Sequence, residues 1–187
     1  INRAATASLQ IMPPAGWQKS LAGYVEVNGQ NFEIVLTPSI SGRATVLKDT
    51  NATLPLELYK DITGQGRGQI SAWVRTDSNM TGDYDLSLYG DSRSVLALAA
   101  GLGANGNFHY WTAGAFVDSA VAYSANTWYK LQLEFDTAAD TYNFTVLDNA
   151  QNELFSEAGI AFGTPVTNSI DRIKLYTSET FDGNAYV

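Results

Sequence analysis

Cysteine is absent from the 187 residues, so neither a disulfide framework nor a thiolate metal site is available. Histidine occurs once, at His109, which leaves a single imidazole for proton transfer near neutral pH. Charged residues make up 16% of the chain, against ~25% in an average soluble domain, so the surface must be unusually neutral and rich in hydroxyls and amides. Such a surface suits neutral polar ligands such as sugars, and it is equally ordinary for an inert secreted sandwich. Cations are sparse: eleven Lys and Arg stand against nineteen Asp and Glu, for a net charge of −8. That balance excludes nucleic acid as an expected partner, because phosphates call for clustered cations and these are scattered. An anionic polysaccharide meets the same long-range repulsion unless a local basic groove offsets it. No run approaches the ~20 apolar residues of a membrane span. No long segment carries a 3.6-residue period either.

What is present is period two. In Tyr129-Lys130-Leu131-Gln132-Leu133-Glu134-Phe135-Asp136 every odd position is apolar and every even one polar, the mark of a strand with one wet face. Thr141 to Val146 alternates in the same way, and Asp136 to Asp140 joins the two as a hairpin loop. Arg172-Ile173-Lys174-Leu175-Tyr176, Ile70 to Arg75 and Tyr84 to Tyr89 repeat the pattern. Clusters of Gly, Asn and Asp punctuate the runs. Ser94 to Ala100 is rich in helix formers, but it is short, ends at Gly101 and lies between strand signals, so it reads as a strand. Evenly spaced strands without helices predict an all-β fold, a two-sheet antiparallel β-sandwich. The expected organisation is an irregular N-terminal arm over residues 1–18 and one sandwich domain over 19–187. The opening Ile1-Asn2-Arg3 lacks Met and a signal-peptide core, as a processed or excised segment would.

Several of these stretches, taken in order, carry a family resemblance. Ile70-Ser71-Ala72-Trp73-Val74-Arg75 is followed by a glycine turn with Gly106-Asn107-Phe108-His109-Tyr110-Trp111, then by Asn126-Thr127-Trp128-Tyr129-Lys130-Leu131 and the hairpin through Asp140. Ile170-Asp171-Arg172-Ile173-Lys174-Leu175 and Asp182-Gly183-Asn184-Ala185-Tyr186-Val187 complete the series. Over roughly two-thirds of the chain this order resembles concanavalin A-like, laminin-G-like jelly rolls. The resemblance implies two facing sheets, one often concave, and use beside or within enzymes that act on polysaccharides. It also implies one structural calcium near a sheet edge, for which Asp171, Asp182 and Asn184 are the candidates, with Asp49 and Asn51 as a second loop set. Turn-forming Asx residues are the alternative reading of each.

If Tyr129, Leu131, Leu133 and Phe135 are core, then Lys130, Gln132 and Glu134 are wet. By the same parity the wet positions elsewhere are Trp73 with Arg75, Asp85 with Ser87 and Tyr89, and Lys174 with Tyr176. Rings beside hydrogen-bonding side chains are what a sugar needs, since its C–H face stacks on a ring while its hydroxyls find polar partners. With His109 and Trp111 these residues form the expected glycan-binding set: Trp73, Arg75, Asp85, Tyr89, His109, Trp111, Lys174 and Tyr176. Two other readings stay open. One is a polysaccharide lyase or glycosidase, with His109, Tyr110, Arg75 and Lys174 as its groove. The paired-carboxylate strand of retaining glycosidases, Glu-x-Asp-x-x-Glu or Glu-x-Asp-x-Glu with carboxyls ~5.5 Å apart, is nevertheless missing. The other is a surface or fibre subunit that self-associates through sheet edges, suggested by the N-terminal arm and the last strand. Gly64-Gln65-Gly66-Arg67-Gly68 precedes a strand and not a helix, so it is a connection, not a phosphate loop. Trp128 reads as structural, packing where its strand enters the core. The leading expectation is a non-catalytic extracellular carbohydrate-binding module of a larger secreted or surface protein.

Overall fold

The computed structural model describes residues 18–20, 31–35, 44–49, 55–77, 82–181 and 183–187. In chain order the alternating segments become β1 (Gln18–Ser20), β2 (Asn31–Val35), β3 (Ala44–Asp49), β4 (Glu57–Gln65) and β5 (Arg67–Thr76). They continue as β6 (Tyr84–Gly90), β7 (Val95–Leu102), β8 (Asn107–Thr112), β9 (Ala115–Ala122) and β10 (Tyr129–Asp136). The last four are β11 (Thr141–Leu147), β12 (Glu153–Ala161), β13 (Ile170–Thr177) and β14 (Gly183–Tyr186). The described residues include no helix, hence none able to cross a membrane.

All pairings are antiparallel and fall into two sheets. The front sheet has the order β1-β4-β13-β6-β7-β8-β9, and the back sheet β12-β11-β10-β5-β14-β3-β2. The predicted two-sheet sandwich is the observed architecture. Residues 1–17 of the expected arm lie outside the described residues; Gln18 already pairs with Tyr59 in β1. The glycine-bearing connection at 64–68 is drawn into the strands themselves: β4 runs to Gln65 in the front sheet, and β5 starts at Arg67 in the back sheet. Gly66 alone separates them.

Burial follows parity. Tyr129, Leu131, Leu133 and Phe135 turn inward from β10, while Lys130, Gln132 and Glu134 turn outward. In the front sheet Leu58, Leu175, Leu86 and Ala100 form one inward row across four strands, each the register partner of the next. At ~25 cal/mol per Å2 of apolar surface, such rows of fully buried leucines are the main source of stability. Strand β7 shows why helix formers sit well in a strand here. Both of its faces are covered, so Ala97, Leu98, Ala99 and Ala100 are buried consecutively and no polar alternation is required.

The β7–β8 ladder pairs only Ala100 to Leu102 with Phe108 to Tyr110. Where the two strands part, Tyr142 reaches across from the back sheet and its hydroxyl donates to the carbonyl of Trp111 at 2.7 Å. Gly163 N–H closes the same gap by donating to the carbonyl of Ala97. The last strand, β14, is not an edge. It pairs with β3 on one side and β5 on the other, so among the described strands the back sheet is open at β12 and β2.

Candidate functional site

Outward parity on the front sheet collects six of the eight expected residues on one face. Asp85 and Tyr89 come from β6, His109 and Trp111 from β8, and Lys174 and Tyr176 from β13. The other two are on the far side of the molecule. Trp73 and Arg75 flank the inward Val74 on β5, and β5 belongs to the back sheet, so both point away from the front face. The expected grouping of Arg75 with Lys174 is therefore corrected. Alternation names the outward residues of a strand but not the sheet that holds it. Tyr110 is corrected as well: between His109 and Trp111 it turns to the core and stacks on Phe155 with ring centroids 6.1 Å apart. Trp128 is half-buried and packs edge-on to Tyr186, beside Tyr129, which enters the core.

On the front face Asp85, Gly101 and His109 stand in one register row on β6, β7 and β8. Adjacent strands are ~4.8 Å apart, so Asp85 and His109 must meet across the middle strand. They do so because the middle residue is glycine: a Cβ on Gly101 would lie 2.0 Å from the Tyr84 carbonyl oxygen and 2.5 Å from Asp85 Oδ1. Over that gap Asp85 Oδ1 and His109 Nε2 are 2.7 Å apart. Phe116 caps the imidazole, its ring stacked at 4.2 Å and 12°. Burial raises Asp85 above the ordinary carboxylate range, with His109 partly opposing it. Burial also works against the imidazolium, but the carboxylates of Asp85, Asp83 and Asp118 outweigh it and raise His109 above its usual value. At 3% exposure the histidine is shut away from bulky substrates.

Beside the pair is a depression of about 280 Å3. Asp85, Ser87 and Ala99 line it together with Tyr89, Trp111, Phe116 and Tyr176. Trp111 is seated by a second close approach, since a Cβ on Gly163 would lie 1.7 Å from the indole Nε1. The cations of this face are already matched. Lys174 Nζ is 2.9 Å from Glu57 Oε1 and 4.4 Å above the Tyr89 ring. Arg172 lies 2.6 Å from Asp61 and 4.0 Å above the Tyr59 ring, and Arg93 is 3.3 Å from the same Asp61. Sequence parity had no means of finding Phe116, Tyr59 or the Glu57–Lys174 match, because each depends on which strands become neighbours.

The calcium candidates do not converge. Asp171 accepts the Arg93 N–H at the start of β13, whereas Asn184 holds Asp77 beyond that strand's far end. The six-residue rise from Asp171 to Thr177 alone is ~20 Å. Asp182 and Asn51 lie outside the described residues, and Asp49 accepts the Thr177 hydroxyl at 2.6 Å. No group of three His, Cys, Asp or Glu side chains among the described residues is arranged to hold a metal ion.

The all-antiparallel sandwich has counterparts among solved structures. A sialidase superposes with a TM-score of 0.66 at 17% identity over 91% of this chain. The Bacillus licheniformis β-glucanase does so at 0.55 and 13% over 95% of this chain and 92% of its own. The fold is that of a concanavalin A-like jelly roll. This jelly roll spans only 16% of the sialidase chain. No protein-family model matches the sequence, and no curated protein does.

Proposed function

We propose that this jelly roll is a non-catalytic carbohydrate-binding module that works outside the cell, with the outer face of the front sheet as its glycan surface. The observation that carries this reading is the depression ringed by Tyr89, Trp111, Phe116 and Tyr176 and floored by Asp85 and Ser87. Flat rings offer stacking for the C–H face of a sugar, and the tyrosine hydroxyls at the rim offer hydrogen-bonding partners. The two structural neighbours, a sialidase and a β-glucanase by name, are carbohydrate-active proteins on the same architecture, which supports a carbohydrate-related role.

The non-catalytic part rests on the state of the acids. Glycoside hydrolysis needs two carboxyl groups, one to deliver a proton and one to attack or to activate water. On this face Glu57 is held by Lys174, Asp61 by Arg172 and Arg93, and Asp85 by a buried histidine, while Asp83 accepts the Ala104 N–H and Asp118 the Asn105 amide. A lyase would need a base facing its substrate, and His109 lies under Phe116.

The test is affinity electrophoresis in gels carrying neutral glucans or xylans. Retarded migration that Tyr176→Ala removes is the expected result. Absence of retardation across a broad glycan panel would contradict the proposal, as would release of reducing ends or of unsaturated uronates by the purified chain.

A further inference from the structure

The outer face of the back sheet uses its charges differently. Trp73 and Lys130 are register partners across β5 and β10, so their Cα atoms are ~5 Å apart. Arg75 follows Trp73 two residues along β5, ~7 Å away on the same face. The register partner of Arg75 on the other side is Tyr186, and the guanidinium lies 4.9 Å from that ring's centre. Trp128 stands edge-on to Tyr186 at 6.4 Å, adding a third ring.

Neither cation is neutralised by a carboxylate among the described residues. Lys130 takes part in no ion pair among the described residues, where Arg67, Arg93, Arg172 and Lys174 all have carboxylate partners. Arg75 gives Nη2 to the amide oxygen of Asn126, but its Nη1 is buried with no acceptor. A buried donor left without an acceptor is costly, more so on a charged group, so an incoming anion has an unmet partner to satisfy. The nearby carboxylate, Asp77, is taken up by the backbone and side-chain N–H groups of Asn184.

We propose that Trp73, Lys130 and Arg75 form a second binding site, on the side of the sandwich opposite the first, for an acidic saccharide bearing a carboxylate or sulfate. The sugar ring stacks on Trp73, and its anionic group lies between Lys130 and Arg75, reaching Nη1 as the covering side chains adjust. An extended acidic peptide is a poorer fit. It would bind through backbone hydrogen bonds at a sheet edge, and β5 has none to offer, being paired with β10 on one side and β14 on the other. Nucleic acid is disfavoured by two isolated cations on a chain of net charge −8. This site does not depend on the front-face reading, since the two share no residue.

The experiment is titration calorimetry of the full chain against four probes. These are oligogalacturonate (carboxylated), a heparin oligosaccharide (sulfated), a cello-oligosaccharide (neutral) and polyglutamate (an acidic peptide). One or both acidic saccharides are expected to bind, and which of them does identifies the anionic group. Raising salt from about 50 to about 200 mM should weaken the interaction, as expected for charge attraction near a surface. Lys130→Gln should weaken it about tenfold, the equivalent of one hydrogen bond to a charged group. Trp73→Ala should weaken it as well, and Tyr176→Ala should leave it unchanged. Arg75→Gln risks disturbing the Tyr186 contact, so Lys130→Gln, at a half-buried outward position, is the deciding variant, with its thermal midpoint as the check on folding. The proposal is overturned if neither acidic saccharide binds, if binding survives Lys130→Gln together with Trp73→Ala, or if polyglutamate binds as tightly.

Discussion

On the front face Lys174, Arg172 and Arg93 each lie within 3.3 Å of a carboxylate, whereas on the back face, among the described residues, Lys130 has none and Arg75 has only Asn126 and a tyrosine ring. Both faces come from the same alternating strands and carry similar residue types. The difference lies in which strands are neighbours. In the front sheet β4 and β13 bring Glu57 and Asp61 against Lys174 and Arg172, leaving no unpaired cation beside the half-buried rings among the described residues. In the back sheet the acids of β10, Glu134 and Asp136, sit further along the strand, beside Asn143 and Arg67 and away from Lys130. One chain thus presents an aromatic surface whose cations are paired and a second surface whose cations are not, although its overall charge is strongly negative.

The largest expected effect comes from breaking what only the front face has, its buried pair. His109→Leu leaves the Asp85 carboxylate buried without its partner, a loss of about 3 kcal/mol in thermal or urea unfolding. Gly101→Ala should act in the same direction, because its methyl group would press on Asp85 and on the Tyr84 backbone. Next in size is binding. Tyr176→Ala, which removes a ring from the depression, should weaken neutral-glucan affinity by about tenfold or more while the unfolding midpoint changes little.

The dependence on pH follows from the same pair. Asp85 and His109 both hold their protons more tightly folded than unfolded, so the native state binds more protons and stability falls as pH rises. For His109 the contribution is complete below its unfolded value of 6.5 and is lost as pH climbs through the higher folded value. Asp61, lowered by its hydrogen bond from Arg172, works the other way. Its contribution is present above the unfolded 3.8 and disappears as pH falls through the lower folded value. The thermal midpoint should therefore decline as pH rises from 6.5 through the higher folded value of His109. The double variant Asp85→Asn with His109→Gln, which keeps a hydrogen-bonded pair without charge, should flatten that decline. The smallest effect belongs to the back face. Arg67 is 75% exposed in its pair with Asp136, and Arg67→Gln should change stability by less than about 0.5 kcal/mol.

Parity was the legible part of this molecule. The alternation from Tyr129 to Asp136 identifies Lys130, Gln132 and Glu134 as outward, and the structure agrees; from Tyr84 to Tyr89 it finds the right direction, but Asp85 and Ser87, expected to be wet, are buried beneath their neighbours. Sheet membership was not legible. Trp73 meets Lys130, and Lys174 meets Tyr59, through ladders between segments far apart in the chain. Local pattern therefore placed Trp73 and Arg75 with residues that belong to the opposite side. The seats of the site were hidden for the same reason: Gly101 and Gly163 look like turn residues until Asp85 and Trp111 are seen occupying the space they leave. Phe116 escaped because β9 is exposed along most of its length and has no clean alternation.

The sharpest test of the division between the faces is a paired measurement of neutral-glucan retardation for Tyr176→Ala and Trp73→Ala. The front-face account predicts that the first substitution abolishes retardation and the second leaves it intact. Retardation that survives Tyr176→Ala and disappears with Trp73→Ala would contradict it.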